Sequence, residues 1–526
     1  MEKFSKLLES IIFSPSKNKK ILLLKDYLRQ TQNPDRGYAI SVLTGKLKFK
    51  SIKNVDLKNM IRSKVDPYLF DLSYDYVGDM AETISLIWPL NKKKNLPSLT
   101  NFIKFISQNR KAEVLNFLSD VLDSSNQTER WSIIKLITGG LRIGVSERMV
   151  KLSLSVYGNK EIESIEKIWH GLSPPYENLF NWLENKQKKP KIDFLKIFHP
   201  MMLSHPIDEK SDFANLKPEE FSAEWKWDGI RVQIVIANDE TRIFSRNGDD
   251  ISHSFPDLKF FTKTNVVVDG ELLVGKNCIP SSFNDLQQRL NRKKVSKKHT
   301  ELYPVFIKLY DILFHNNMDL RNLSFIKRRN FLEKWFILNK QERLDLSEII
   351  SFKNWKKLKE LKHKFTDSKF GFEGIMLKKK TSSYLMGRPK GMWYKWKRNP
   401  KYIDAILMYA QRGHGKRSSY YSDFTFGVWK ENNLVPIGKA YSGFTNQELN
   451  KLDQFVRKKT INRFGPVREV EKKVIFEVAF DSITKSSRHK SGIALRFPRI
   501  SRIRYDKPIN EVENLDTILK MYKLKN

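Results

Sequence analysis

Lys226 lies in the stretch AEWKWDGIRVQI, residues 223–234, between two tryptophans and just ahead of an Asp-Gly pair. A free lysine is an ammonium at neutral pH and no nucleophile. Burial and neighbouring cations lower its pKa, whereas adjacent carboxylates raise it. Both kinds of neighbour are close in the chain: Glu224 and Asp228 on one hand, Arg231 on the other. The local residues therefore leave two readings open, a reactive amine or a strand-end cation paired with Asp228. Further candidates follow in order. VVDGELLV places Asp269 and Glu271 at the end of a strand pattern, FEGIMLKKK carries Glu373 and Lys378, and WYKWKR carries Lys395 and Lys397. SGIALRFPRISRIRYDK adds Arg496, Arg499, Arg502 and Lys507. Each has an ordinary account by itself: Asp-Gly-Glu as a hairpin turn, Glu373 as a surface carboxylate, the WYKWKR lysines as a solvated edge. Together, in this order and on strands, they are what nucleotidyl transfer requires: a nucleophile, carboxylates for Mg²⁺ and cations for a triphosphate.

The elements that must hold these residues change character along the chain. The first part reads as helical. In EVLNFLSDVLDSS, residues Val114, Leu115, Leu118, Val121 and Leu122 share one helix face. The following NQTERWSIIKLITGGLRIGVSERMV starts a helix at an Asn126 or Thr128 cap and stops it at Gly139-Gly140. The lysine-rich NKQKKPKIDF with Pro190, then Pro200 and Pro206, mark a linker near residues 185–205. Beyond it the period becomes two: RVQIVIA sets Val232, Ile234 and Ile236 on one side. NVVVDGELLV, VFIKLYDIL and GFEGIMLKKK are further strands, with a helix around Phe325 to Phe336. KWKRNPKYID with Pro400 marks a second boundary. DAILMYA, YSDFTFGVW and KVIFEVAFD then predict a small β-barrel or sandwich.

Composition narrows the partner. The 526 residues hold 96 Lys+Arg against 59 Asp+Glu, a net charge of +37, which favours a polyanion, DNA or RNA, over a merely solvated basic surface. The basic run RKKVSKKH, Arg292–His299, reads equally as a nucleic-acid-facing or a solvated loop. Cys278 is the only cysteine, so neither an intrachain disulfide nor a four-cysteine zinc site is possible. No apolar leader or membrane-spanning run is visible, and the expectation is a soluble, cytoplasmic protein that makes no use of a membrane.

KWDGIR matches the Lys-x-Asp-Gly-x-Arg motif of covalent nucleotidyltransferases, and the remaining motifs stand in the order of an ATP-dependent DNA ligase. SRNG (Ser245–Gly248) resembles the ribose-contacting segment, VVDGELL the third motif, YDIL (Tyr310–Leu313) the aromatic motif, EGIMLK the fourth, WYKWK the fifth and RFPR the sixth. FNDLQQRLNRK is also ligase-like, while VGDMAE (Val77–Glu82) and LRIGVSE (Leu141–Glu147) resemble the helical DNA-binding domain of larger ligases. One motif would be weak; eight in order, across nearly the whole chain, are strong.

The resemblance implies a multi-domain α+β architecture: an all-α DNA-binding domain at 1–200, an α+β nucleotidyltransferase domain of ATP-grasp-like type with antiparallel sheets at 201–398, and an OB-fold β-barrel at 399–526. It implies that Lys226 becomes adenylylated by ATP, with Glu224 at the adenine edge and Tyr310 stacked on it. Arg231, Arg246 and Glu271 would surround the ribose, and Glu271 and Glu373 would hold Mg²⁺. Lys378 and Lys395, with Lys397 beside them, would contact the α-phosphate, and Arg496 the leaving pyrophosphate. Arg142 and the turn amides around Gly144 would contact nicked duplex DNA, which a monomer encircles. Family members often carry an arginine six residues before the fifth-motif lysine; that position is Pro389 here, with Arg388 beside it. Three competing readings are an RNA-directed ligase, a capping-type nucleotidyltransferase and a catalytically idle DNA-binding scaffold. The first two would not normally carry VGDMAE and LRIGVSE, and the third is not favoured while Lys226, Glu271, Glu373 and Arg496 are all present.

Overall fold

The computed structural model describes all residues except 48, 50, 51, 90–94, 140, 291, 293, 294, 317, 367–370, 414–419, 487, 488 and 524–526. Part of the basic run at Arg292–His299, and Gly140, thus lie outside the described residues. The chain divides into two compact units, one of Met1–Glu166, Leu172–Pro190 and Pro400–Leu524, the other of Lys167–Gly171 and Lys191–Asn399. The helical region and the C-terminal sheet thus share one unit, and the main segment of the other starts at Lys191, within the 185–205 stretch. The reason is packing: Phe198, Met201 and Met202 are buried in one cluster with Val235, Phe244 and Phe314 of the middle unit.

In the helical region the pattern-derived helix spans Lys111–Asp123 and buries Val114, Leu118, Val121 and Leu122, with Leu115 half-buried at its margin. Asn126 is the cap of the next helix, Gln127–Thr138, and Thr128 lies inside it. The Asn126 side chain accepts from the Glu129 amide at 2.9 Å while Glu129 accepts from the Asn126 amide at 2.7 Å, so two otherwise orphaned donors are satisfied reciprocally. Gly139 ends the helix at φ +67°, a conformation that favours glycine. VGDMAE is likewise a helix-to-helix joint: the helix Pro67–Val77 ends on Gly78, and Asp79 caps Met80–Ile87 while pairing with Lys135 at 2.5 Å.

The middle unit contains β1 (His205–Pro206), β2 (Phe221–Trp227), β3 (Ile230–Ala237), β4 (Glu240–Ser245), β5 (Val266–Lys276), β6 (Ile279–Pro280), β7 (Val305–His315), β8 (Met318–Asp319), β9 (Leu344–Leu346), β10 (Ile349–Ile350), β11 (Phe372–Lys379) and β12 (Trp393–Lys397). One sheet runs β1-β12-β11-β2-β10; the other runs β4-β3-β5-β7-β8, with β6 beside β5 and β9 beside β7. The pairs are antiparallel except β1 with β12 and β7 with β9. β3 is buried on both faces: Val232, Ile234 and Ile236 enter one core, Val235 and Ala237 another. The helix foreseen near Phe325 spans Phe325–Leu338.

Asp269 and Glu271 do not sit at a strand end or in a hairpin turn. They lie inside the eleven-residue β5, with Gly270 between them. Gly270 serves close strand approach, because a Cβ there would stand 2.6 Å from Ile307 Cγ2 and 2.9 Å from the Lys308 carbonyl oxygen.

The C-terminal part holds β13 (Lys401–Arg412), β14 (Tyr421–Lys430), β15 (Asn433–Ala440), β16 (Thr460–Phe464), β17 (Val467–Val470), β18 (Ile475–Phe480), β19 (Ser482–Lys485), β20 (Ile493–Arg496) and β21 (Arg499–Ile503). β13 pairs with β18 along residues 401–406 and with β14 and β17 farther on. Register shifts in β13 bend this antiparallel sheet around a core that includes Phe424, Phe426, Phe476 and Phe480, as an OB-type barrel requires.

Gly270→Ala is expected to lower stability by about 1–3 kcal/mol, the usual cost of forcing an extra carbon into a packed interior. A thermal melt equal to that of the unmodified protein would contradict the close-approach role.

Candidate active site

Lys226 reaches the junction of the two sheets because β2 ends in a tight Asp228-Gly229 turn. A Cβ on Gly229 would lie 2.4 Å from the Leu272 carbonyl oxygen and 2.9 Å from Glu271 Cγ, so only glycine lets the turn press against β5. The Asp228 amide donates to the Gly371 carbonyl at 2.8 Å, tying the turn to the start of β11. There β11 bulges between Phe372 and Gly374, where a Cβ on Gly374 would meet the Trp396 carbonyl oxygen at 2.3 Å. The bulge aims Glu373 between two lysines. The Lys226 ammonium donates to its Oε1 and the Lys397 ammonium to its Oε2 at 3.1 Å. Lys226 thus pairs with Glu373 rather than with Asp228.

Register orders the remaining groups. Lys226 and Lys397 both face Gly374, Glu224 and Lys395 both face Met376, and Trp393 faces Lys378. All of these stand on one face of the sheet because side chains alternate with period two. Cations gather at the Lys226 end. The Lys395 ammonium is held below the ordinary lysine range by burial, then by Arg388, Lys397, Lys226 and Arg246. Arg246 is exposed on the turn after β4, which needs Gly248 at φ +84°. Arg388, offset by one residue from the expected arginine position, belongs to this same electrostatic cluster.

The two candidate metal carboxylates differ. Burial drives Glu373 up, but Lys226 and Lys397 outweigh it and hold the group below the usual glutamate range. Glu271 is pushed up to about 7, first by burial and then by Glu373 and Asp228, against Lys226 and Arg231. Among the described residues no group of three or more His, Cys, Asp or Glu could cage a metal ion. Two partly desolvated glutamates flanking a lysine nonetheless suit Mg²⁺, which keeps waters and takes oxygens from substrate phosphates instead of a full protein cage.

Next along the same face lies an aromatic pocket. Lys378 stands two residues along β11 from Met376, the residue that Lys395 faces. Its ammonium donates to Glu224 Oε1 at 2.8 Å and to the Tyr310 carbonyl at 3.3 Å, with both charged side chains only 2% exposed. Burial pulls this ammonium below the ordinary lysine range, with Glu224 opposing. Arg231 is also engaged by protein groups: the Met202 carbonyl at 2.6 Å, Asp269 at 2.7 Å and the Tyr384 hydroxyl at 3.1 Å. Tyr384 donates to Asp269 at 2.6 Å and Gln233 donates to it at 3.1 Å. Arg231 therefore braces the ring of Tyr310, 5.8 Å away, from within the sheet junction. Behind Tyr310, the fully buried Asp311–Arg328 pair ties β7 to the helix Phe325–Leu338.

Tyr384, Gln233 and Trp393 were not foreseen. For Trp393 a signal existed, since it stands two residues before Lys395 and hence on the same face. Tyr384 and Gln233 reach Asp269 through contacts distant in sequence, which no local pattern reveals. In the other unit, Arg142 and Gly144 are exposed in the loop before the helix Glu147–Gly158, at φ +44° and +72°. The buried Lys20 ammonium fixes this loop by donating to the Ile143 carbonyl at 2.6 Å. Arg496 ends β20, opposite Ser482 of β19.

Comparison with known proteins matches three family descriptions along the chain: "DNA ligase N terminus" over residues 1–155, "ATP dependent DNA ligase domain" over 201–397 and "ATP dependent DNA ligase C terminal region" over 417–507. A probable DNA ligase of Koribacter versatilis is 30% identical over 99% of this chain and 96% of its own length. A DNA ligase of Methanococcus aeolicus is 32% identical over 76% of this chain and 72% of its own. The solved structure titled Pmar-Lig_PreS3 shares the fold with a TM-score of 0.61 at 17% identity, covering 95% of this chain and 99% of that one.

The raised Glu271 carboxyl has a consequence for stability. Between about pH 4.5 and 7 the folded chain holds a proton there that the unfolded chain has lost, so stability falls as pH rises through that window and levels off above it. Glu271→Gln removes this loss and is expected to melt higher than the unmodified protein at pH 8, by on the order of 2 kcal/mol, with the gap closing toward pH 4.5. A gap that stays constant across pH would contradict the assignment.

Proposed function

The chain belongs to the ATP-dependent DNA ligases, and on that footing we propose that Lys226 is the residue that carries AMP between ATP and a nick in duplex DNA. The observation that carries this reading is the convergence of Lys226, Glu373 and Lys397 at a sheet junction where Lys395, Arg388 and Arg246 add positive charge.

In the first step the Lys226 amine, having lost its proton, attacks the α-phosphorus of ATP. A nitrogen–phosphorus bond forms, the bond to the bridging oxygen breaks, and pyrophosphate leaves with the electron pair. The cations at this end neutralise charge as it spreads over the phosphate oxygens. Glu271 and Glu373 are the residues to hold Mg²⁺, which when bound screens the triphosphate. At the other end Tyr310 stacks on the adenine and Glu224 meets its edge. A 5′-phosphate oxygen at the nick then takes the AMP from Lys226, and the 3′-hydroxyl attacks that 5′-phosphorus and expels AMP. Both later steps depend on ends held in line, which is chiefly a matter of positioning.

The match of residues 1–155 to a DNA ligase N-terminus supports duplex DNA over a capping-type or RNA-directed substrate. Arg142 and the turn amides at Gly144 are proposed to grip phosphates without reading sequence. Arg496 is proposed to meet the pyrophosphate, and a monomer to encircle the duplex. None of the described helices is long and apolar enough to cross a membrane.

Protein incubated with α-labelled ATP and Mg²⁺ is expected to acquire acid-labile label that nicked DNA discharges with sealing. Labelling without sealing of an all-DNA nick, but with sealing when RNA supplies the 3′-hydroxyl, would favour the RNA-directed reading. Lys226→Ala is expected to take up no label while retaining salt-sensitive binding to nicked duplex. Label retained in that variant would refute Lys226 as the nucleophile.

A further inference from the structure

Lys378 is a buried cation paired with a buried carboxylate. It faces Trp393 and Ser222 in register, whereas Lys226 and Lys397 stand at the level of Gly374, four residues along β11. At the rise of an antiparallel strand that is on the order of 13 Å. Its ammonium is closed in by the rings of Tyr310, Phe325 and Trp393, whose centroids lie 4.5, 4.9 and 4.9 Å away. On the remaining side it meets Glu224 at 2.8 Å and the Tyr310 carbonyl at 3.3 Å.

We propose that Lys378 is a positioning residue that holds Glu224 as a fixed, ionised acceptor and thereby makes the site choose a purine with an exocyclic amine over one with an exocyclic carbonyl. This rests on the reading above that places the ATP base against Tyr310 and Glu224. An ionised carboxylate only accepts hydrogen bonds, so it must be offered a donor. Adenine offers its amine at the relevant edge; guanine and hypoxanthine offer a carbonyl oxygen, and two acceptors repel. A carboxylate buried this deeply is costly without its counter-ion and is no longer held in one orientation as an acceptor. Removing the ammonium therefore erases the basis of the choice while leaving the phosphate-binding cations in place. Lys378 also ties Glu224 on β2 to the Tyr310 backbone on β7, so the edge contact and the stacking ring are set by one group.

The test is the initial rate of covalent labelling by α-labelled ATP or ITP, at varied nucleotide concentration, for the unmodified protein, Lys378→Met, Lys378→Gln and Glu224→Gln, and for Glu224→Gln combined with Lys378→Met. The Lys378 variants are expected to lose ~10- to 100-fold of the ATP-over-ITP preference, the usual range for one charge-assisted hydrogen bond. The loss should appear mainly as a raised KM for ATP. In the Glu224→Gln background, Lys378→Met should change the preference no further. Equal loss of rate with both nucleotides in the Lys378 variants, or an additional loss of preference in the double variant, would overturn the proposal. If neither Lys378 variant melts cooperatively, Glu224→Gln decides: retained preference there overturns it as well. Failure of the unmodified protein to take label from ATP would instead refute the adenylylation reading itself.

Discussion

Lys226 and Lys397 share the carboxylate of Glu373, and the strands around them bring these three charges together at a partly buried position. Charge buried without a partner is costly, so a site of this kind is held by pairing as much as by packing. Two glycines make the pairing geometrically possible. Gly229 lets the turn after β2 lie against β5, and Gly374 lets β11 bulge against β12. A side chain at either position would separate the strands that carry the charges.

Polarity is sorted along the same sheet face in steps of two residues. Lys226 and Lys397 stand at the level of Gly374, Lys395 and Glu224 at the level of Met376, and Lys378, enclosed by Tyr310, Phe325 and Trp393, one step farther. The face thus carries clustered cations and an enclosed aromatic pocket side by side. Beneath it Asp269 gathers Arg231, Tyr384 and Gln233, and Asp311 pairs with Arg328, so the residues flanking Tyr310 cannot drift independently. Glu271 carries the opposite cost, a carboxyl pushed up to about 7 by burial and by like charge. Strain of that kind is tolerated at working sites and compensated by the surrounding core.

Much of this was legible in the chain because its signals are local. Apolar spacing located the helix over Lys111–Asp123, cap candidates at Asn126 and Thr128 bracketed the start of the next, and period-two runs located β3, β5, β7 and β11. The less legible features depend on partners far away in sequence. Asp-Gly-Glu has the composition of a turn, yet it continues a strand because Ile307 and Lys308 of β7 need the room that Gly270 leaves. The main segment of the middle unit starts at Lys191, where Phe198, Met201 and Met202 complete a core contributed by β3, β4 and β7.

The sequence by itself determined the reacting types and their order: a lysine before Asp-Gly, carboxylates and lysines on successive strands, a strong positive surplus and the ligase resemblance they carry. Those properties are written in side-chain chemistry and short-range periodicity, which survive without knowledge of contacts. Tertiary structure alone decided which charges meet. It gave Lys226 to Glu373 instead of Asp228, paired Lys378 with Glu224, and placed Arg231 on Asp269 beneath an aromatic ring. Ion pairing depends on distances of a few ångströms between strands separated by tens to hundreds of residues, and only the register of the folded sheets sets them.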